Sequence, residues 1–277
     1  MNKKVFVHKC LIHLVLFMYC IIVLAPLVTV LSGSFRRLGN NENFLHLFTE
    51  FSLESYITAF LRMDFWSAFL NSLLTTGGSL AAVVFMGSAA AYPISRIKSR
   101  LSRFLYYFFI AGLVIPAQMT IIPVTQMISS LHIPNTRFTP MVMFITCSLP
   151  FTSFLYTGFL KGVPVEIEEA AYIDGASLRT RFFSIVFPLI KPATISVIIT
   201  QGIWIWNDYF FPMVFISKAK QYSLPVALLQ FLGDKENPAQ WTVLFAACIL
   251  CALPLILLFS IFQKQFVNGV AAGAVKG

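Results

Sequence analysis

The sequence predicts an all-α membrane protein with six transmembrane helices, and three observations predict it. Of 277 residues, 58% are hydrophobic and only 11% charged, with a mean hydropathy of +0.80; one soluble core cannot bury that much apolar surface. Apolar runs of about 20 residues, long enough for the ~30 Å hydrocarbon layer, recur along the chain. Lys and Arg gather between these runs, more on one side than the other. The net charge of +9 therefore reflects topology and not nucleic-acid binding, because the 20 basic residues form neither a patch nor a helix stripe.

Lys3, Lys4 and Lys9 precede the first span, Cys10 to Leu31. Its apolar region is longer than that of a signal peptide and no A-x-A site follows, so it reads as an uncleaved helix. Residues 32–67 are polar and mixed, and Ser52 to Trp66 is patterned as an amphipathic helix at the outer interface. Span two, Ala68 to Tyr92, is crowded with small residues such as Thr75, Ser79, Gly87 and Ser88, which let helix backbones pack closely in lipid. It ends in Arg96, Lys98, Arg100 and Arg103, a cytoplasmic marker.

Span three, Phe104 to Met127, contains Pro116 and Pro123, and span four, Thr139 to Leu160, contains Pro150. Each proline frees a backbone carbonyl, marking either a cavity-lining break or a kink made for packing. Span five, Phe187 to Trp206, places Trp204 and Trp206 in an outer aromatic belt. An outer loop, Tyr209 to Gln240, leads to span six, Trp241 to Phe262. On this layout both termini are cytoplasmic. The inside then holds 13 basic residues (Lys3, Lys4, Lys9, Arg96, Lys98, Arg100, Arg103, Lys161, Arg179, Arg181, Lys191, Lys264, Lys276) against 7 outside (Arg36, Arg37, Arg62, Arg137, Lys218, Lys220, Lys235). The chain divides into residues 1–64, the first helix and outer segment, 65–263, the main membrane domain, and 264–277, a cytoplasmic tail.

Between spans four and five lies a polar island, Lys161 to Pro192. Pro164 suits the first turn of a helix, and Glu166, Glu168 and Glu169 put negative charge at that helix's positive end. Asp174-Gly175 reads as its stop, with Gly175 left-handed, and Ser177 caps a second helix running into Phe182, Ile185 and Phe187. The result is a helix-turn-helix knob. Ala170, Ala171, Gly175 and Ala176 keep one side of it small, so that another protein surface can approach its backbone.

These residues resemble the permease subunits of binding-protein-dependent ABC importers. That family's signature is Glu-Ala-Ala, three residues, Gly, nine residues, Ile, one residue, Leu-Pro. Glu169, Ala170, Ala171, Gly175, Ile185 and Pro188 stand in register, while Phe187 replaces Leu. The runs Ile115 to Pro123 and Trp206 to Phe215, the turn Ser223-Leu224-Pro225 and the tail Gly269 to Gly277 are similar to the carbohydrate-uptake, maltose-type branch, its second permease subunit in particular. The likeness runs from about Phe65 to the end, with Pro93 where Ala is commoner.

The resemblance implies a type I importer permease fold, residues 65–263 being its transmembrane permease domain. It also implies that the knob, Asp174 included, is the coupling helix docking on a separate ATPase, and that the tail and the last outer loop meet the ATPase and the binding protein. The implied partners are a second permease, two ATPase subunits, an extracytoplasmic solute-binding protein and the bilayer. No cofactor would be bound by this chain, since ATP and Mg belong to the partner ATPase.

Other classes fit less well. An ion-coupled secondary transporter needs ionisable groups in the bilayer, yet the spans hold no Asp or Glu, only His13 and, at one edge, Lys191. An enzyme needs a convergent nucleophile, base or metal set, and the spans offer none; no G-x-x-x-x-G-K-[ST] loop exists for hydrolysing ATP. Cys248-x-x-Cys251 lacks the further ligands a metal needs. Gln118, Gln201 and Asn207, near breaks or span ends, are the candidate pathway residues. Sugar as solute rests on the resemblance alone, with glycerol-3-phosphate, carried by a related branch, as the alternative.

Overall fold

The computed structural model describes residues 3–40, 46–133, 135–233 and 238–274. Among them there is helix and no strand. The helices are α1 (Lys3–Ser34), α2 (Glu54–Arg62), α3 (Phe65–Arg96), α4 (Arg100–Gly112), α5 (Ile121–Ser130), α6 (Phe138–Lys161), α7 (Val165–Ile173), α8 (Leu178–Thr180), α9 (Phe187–Leu189), α10 (Lys191–Asn207), α11 (Phe210–Phe215), α12 (Leu224–Leu228) and α13 (Trp241–Ala274). Four are long and apolar enough to cross a membrane, and six spans result if each of two bent pairs counts as one. The chain falls into two compact units: residues 1–65 with 227–254, and residues 66–226 with 255–277.

In the first unit, none of the most apolar stretch of α1 is buried within the chain. Its end is different: Ser32, Ser34 and Arg36 are almost wholly buried. The Phe48 amide donates to Ser32 Oγ at 2.6 Å, the Tyr56 hydroxyl donates at 2.7 Å to Ser34 Oγ, whose own proton goes to the Leu31 carbonyl, and Arg36 Nη2 donates to the His46 carbonyl at 2.6 Å. The polar segment after span one is thus a folded cap over α2. The amphipathic helix expected there is α2, with Ser55 and Ala59 inward.

The second unit carries the small-residue face of α3 inward. Ser72, Thr75, Thr76, Ser79, Val83, Gly87, Ser88 and Ala91 are buried, a helical stripe every three or four residues. Gly78 and Gly87 bring α3 close to side chains of α6, because a Cβ would collide with Met141 Cε at the first and with Thr152 Cγ2 at the second. One core cluster joins Val83 and Ala91 with Tyr156, Leu160, Val186, Ile190, Ala193 and Val197, and another joins Ile128, Met143 and Phe144 with Ile205, Phe211 and Phe215.

Several expected boundaries are corrected. Span three is not continuous: α4 and the following 3₁₀ turn with α5 meet at 94°. Pro116, with ψ 122°, sits outside helical geometry at this break. Pro123 falls in the first turn of α5, where a missing N–H costs nothing, and Pro150 leaves α6 unbroken. Gly112 lies against the Pro150 ring, a would-be Cβ coming to 2.9 Å from Cγ. The helix expected for span five is broken near its start, because the chain turns by 71° at Ile190, between Pro188 and Pro192, and runs on as Lys191–Asn207.

Trp206 is buried and edge-on to Phe69, so it belongs to the core and not to an interfacial belt. The expected outer loop is largely packed structure: Phe211, Phe215 and Leu224 are buried, Asn71 Nδ2 donates to the Lys220 carbonyl at 2.8 Å, and the Leu224 amide donates to Ser72 Oγ at 2.8 Å. Helix α13 runs past Phe262 to Ala274, so the expected tail is helical over most of its length. Asp234, Lys235 and Glu236 of that loop and residues 275–277 of the tail lie outside the described residues.

Candidate functional site

The knob is α7 and α8 with the residues that lead into α10. Pro164, φ −56° and ψ 132°, is the cap before Val165, and Glu166 and Glu168 occupy the first turn. At the other end Gly175 has φ +81°. Its amide donates to the Tyr172 carbonyl at 3.0 Å and the Ala176 amide to the Ala171 carbonyl at 2.9 Å, a closure that needs a left-handed residue at position 175. Ser177 Oγ then accepts from the Thr180 amide at 3.2 Å and starts α8. From Arg181 to Val186 the helix widens to a π turn. Pro188 has no N–H to offer the Ser184 carbonyl, and the wider turn relieves the clash its ring would cause there.

The expected coupling residues separate by exposure. Glu169, Ala170, Asp174 and Gly175 are exposed on or just past α7, Ile185 is half-buried and Pro188 exposed beside the π turn, and Ala171 is buried. The expectation of a small outward side is corrected in part: Ala170 and Gly175 are exposed, but Ala171 faces inward and Ala176 is half-buried. Large apolar side chains project beside them, with Ile173 84%, Tyr172 66% and Leu178 60% exposed. The Arg181 guanidinium lies 5.0 Å from the centre of the Tyr172 ring.

One arrangement escaped the sequence reading. Glu168, the acid beside the motif glutamate, is 5% exposed. Its Oε2 accepts from the Tyr92 hydroxyl at 2.6 Å and its Oε1 from Arg96 Nε at 2.7 Å, with Arg96 Nη2 at 2.6 Å from the same oxygen. The rest of the Arg96 fork donates to the Leu160 carbonyl at 2.8 Å and the Val163 carbonyl at 3.2 Å. A buried carboxylate is tolerable with such partners. The available signal was the pair Tyr92 and Arg96, four residues apart and so on one helix face, set against a second acid in the first turn of α7.

The candidate pathway residues are not brought together. A cavity of about 1030 Å³ lies in the second unit, and its walls include Thr120, Thr146, Cys147, Pro150, Gln201 and Trp204. Gln201 is the only one of the three that lines it. Gln118 is exposed in the 3₁₀ turn at the break after α4. Asn207 is exposed, and its amide donates to its own helix at the Ile203 carbonyl, 2.8 Å away. At the end of α10, burial pushes the Asp208 carboxyl up while the Phe211 and Phe210 amides pull it down. Among the described residues no three His, Cys, Asp or Glu side chains converge as a metal would require.

Comparison with known proteins places this geometry. Residues 83–271 match the family described as binding-protein-dependent transport system inner membrane component. The melibiose/raffinose/stachyose import permease protein MelC of Bacillus subtilis is 33% identical over 253 residues, 91% of each chain. The probable starch degradation products transport system permease protein AmyC of Thermoanaerobacterium thermosulfurigenes is 31% identical over 275 residues, 99% of each chain. Among solved structures, a chain of a bacterial ABC transporter involved in the import of the acidic polysaccharide alginate superposes with a TM-score of 0.83 at 21% identity, covering 96% of this chain and 99% of that one.

Proposed function

The chain belongs to the family of binding-protein-dependent transport system inner membrane components, and on that premise we propose that it is one of two permease subunits of an ATP-driven oligosaccharide importer. It is a multi-pass membrane protein with the type I importer permease fold. The observation that carries the reading is the knob: a short helix closed by left-handed Gly175, presenting Ile173, Tyr172 and Leu178 to the surroundings. Exposed apolar side chains on a polar loop suit a cleft on another protein. In this reading the cleft belongs to an ATPase subunit. Glu169, Ala170, Asp174 and Gly175 form the docking helix and its turn, and Ile185 and Pro188 set the angle of the second arm.

The rest of the assembly follows. A second permease completes the pathway, two ATPase subunits bind ATP and Mg while this chain binds no cofactor, and an extracytoplasmic binding protein delivers the solute. Neither nucleic acid nor an ion gradient takes part. The Arg-rich ends of α3 and α4, the knob and both termini lie on the cytoplasmic side, and Gln201 lines the solute path. Sugar is the solute class because MelC and AmyC, similar to this chain over nearly their whole lengths, are named for oligosaccharides and starch products.

The test is reconstitution. In liposomes the chain alone should neither hydrolyse ATP nor take up melibiose, raffinose or maltotriose. With the second permease, the ATPase and a loaded binding protein, ATP-dependent uptake of at least one of these should appear, with no uptake of glycerol-3-phosphate. Uptake by the isolated chain driven by a proton gradient would overturn the subunit reading, and glycerol-3-phosphate uptake without sugar uptake would overturn the solute class.

A further inference from the structure

We infer that the Tyr92–Glu168–Arg96 cluster is a clamp that makes the knob and the end of α3 one mechanical piece, so that Arg96, Glu168 and Tyr92 are positioning residues for energy coupling. The inference rests on the coupling reading above and adds to it the route by which a displacement of the knob enters the bundle.

The geometry is that of a staple across a joint. Helix α7 is connected to α6 only through the linker Gly162 to Pro164, and it packs mainly against the π turn that follows it. A three-residue linker with one glycine is a place where a push on the knob would be absorbed as a change of linker angle. Arg96 grips both sides of this linker: the Leu160 carbonyl at the end of α6, the Val163 carbonyl within it and the Glu168 carboxylate beyond it. Its planar fork donates through Nε, Nη1 and Nη2 together, which a lysine cannot reproduce. Tyr92, one turn before Arg96 on the same face, takes the other Glu168 oxygen.

The cluster sits against packed structure. Ala91, the neighbour of Tyr92 in the chain and the last member of the small-residue stripe of α3, is fully buried, and Leu160 is fully buried at the α6 end. The Tyr92 ring also lies 5.1 Å from that of Phe182, at the start of the π turn. A pull on α7 is therefore handed to α3 at two points, and through Gly87 against Thr152 to the middle of α6. The weak joint is bridged and the strong contacts lie behind it.

Mere neutralisation of a buried acid is the competing explanation, and the two part company in a double variant. In complexes containing the second permease, ATPase and binding protein, the number of sugar molecules moved per ATP hydrolysed is measured per assembled complex, with the panel sugar that the wild type transports. Glu168→Gln and Arg96→Gln each remove one side of the clamp, and we expect the ratio to fall about tenfold or more, as positioning losses of an ångström do. Arg96→Gln/Glu168→Gln has no unpaired buried charge, so its abundance and thermal stability should recover relative to the single variants. Its coupling ratio should stay low. Tyr92→Phe keeps the ion pair and removes one hydrogen bond, and should lower the ratio by about threefold.

A double variant that couples like wild type, or Tyr92→Phe together with either single variant at the wild-type ratio, would overturn the clamp. Gly175→Val is run beside them to keep the two ideas apart. If it destroys coupling while the clamp variants do not, the clamp is wrong and the docking role of the knob stands. If Gly175→Val also couples normally, the coupling reading itself falls.

Discussion

Gly175→Val isolates the shape of the knob from its chemistry. A Cβ added at residue 175 would meet nothing within 4 Å. The expected penalty is therefore that of the backbone conformation. At φ +81° a side chain faces its own backbone, which costs about 1–2 kcal/mol for an ordinary residue and toward 3 kcal/mol for a β-branched one. Each 1.4 kcal/mol is tenfold, so a penalty near 3 kcal/mol shifts the balance between this turn and any competing one by about two orders of magnitude. If residue 175 leaves the left-handed region, the closing bonds of 3.0 Å and 2.9 Å to Tyr172 and Ala171 are lost together. The arm that begins at Ser177 is then misdirected, although the membrane bundle is untouched. As a hypothesis, Gly175→Val should reach the membrane in normal amount, fail to retain the ATPase on pull-down and abolish uptake. Gly175→Ala should be milder and Glu169→Ala should lie between them. Uptake at the wild-type rate by Gly175→Val at normal abundance would refute the reasoning, because the knob would then not need its shape.

Three further expectations follow from other parts of the chain. Single-cysteine variants Ile173→Cys and Lys218→Cys, in a cysteine-free background, should react with an impermeant thiol reagent from opposite faces of the membrane, and labelling from one face would sink the topology. Gly87→Leu must displace Thr152 on α6, an overpacking cost of about 1–3 kcal/mol, and should lower the thermal stability of the detergent-solubilised protein; an unchanged melting temperature would show that the helices are not held there. Gln201→Cys should lose uptake on thiol modification, while Asn207→Ala, whose amide serves only its own helix, should transport normally; the reverse pattern would remove the α10 wall of the cavity from the solute path.

What was legible in the sequence is what local chemistry decides. Pro164, the acids behind it, Gly175 and Ser177 each specify a cap or a turn by themselves, and the knob formed where they said. The small stripe of α3 was readable for the same reason, since its periodicity is carried by one helix. Elements fixed by contacts between helices were not. Pro116, Pro123 and Pro150 look alike in sequence, but only Pro116 falls where the chain has left helical geometry; Pro123 is absorbed by a helix start and Pro150 by Gly112 on its neighbour. Trp206 has an interfacial residue's composition and a core residue's position. The Glu168 cluster joins residues 72 and 76 positions apart, and no periodicity records a pairing at such separation.

Helix α1 has a consequence of a different kind. Because its most apolar stretch gives none of its surface to its own chain, nothing in this chain demands a particular shape there. For this chain's own packing, any string of suitable oiliness and length would fill that stretch equally well, so its own fold places little demand on those positions. The situation reverses within a turn. From Ser32 onward partners appear: Phe48 for Ser32, Tyr56 for Ser34 and, just past the end of the helix, His46 for Arg36. The chain thus passes from a stretch that its own fold leaves unspecified to one held by named contacts, and the boundary near Leu31 is where tolerance of change should drop.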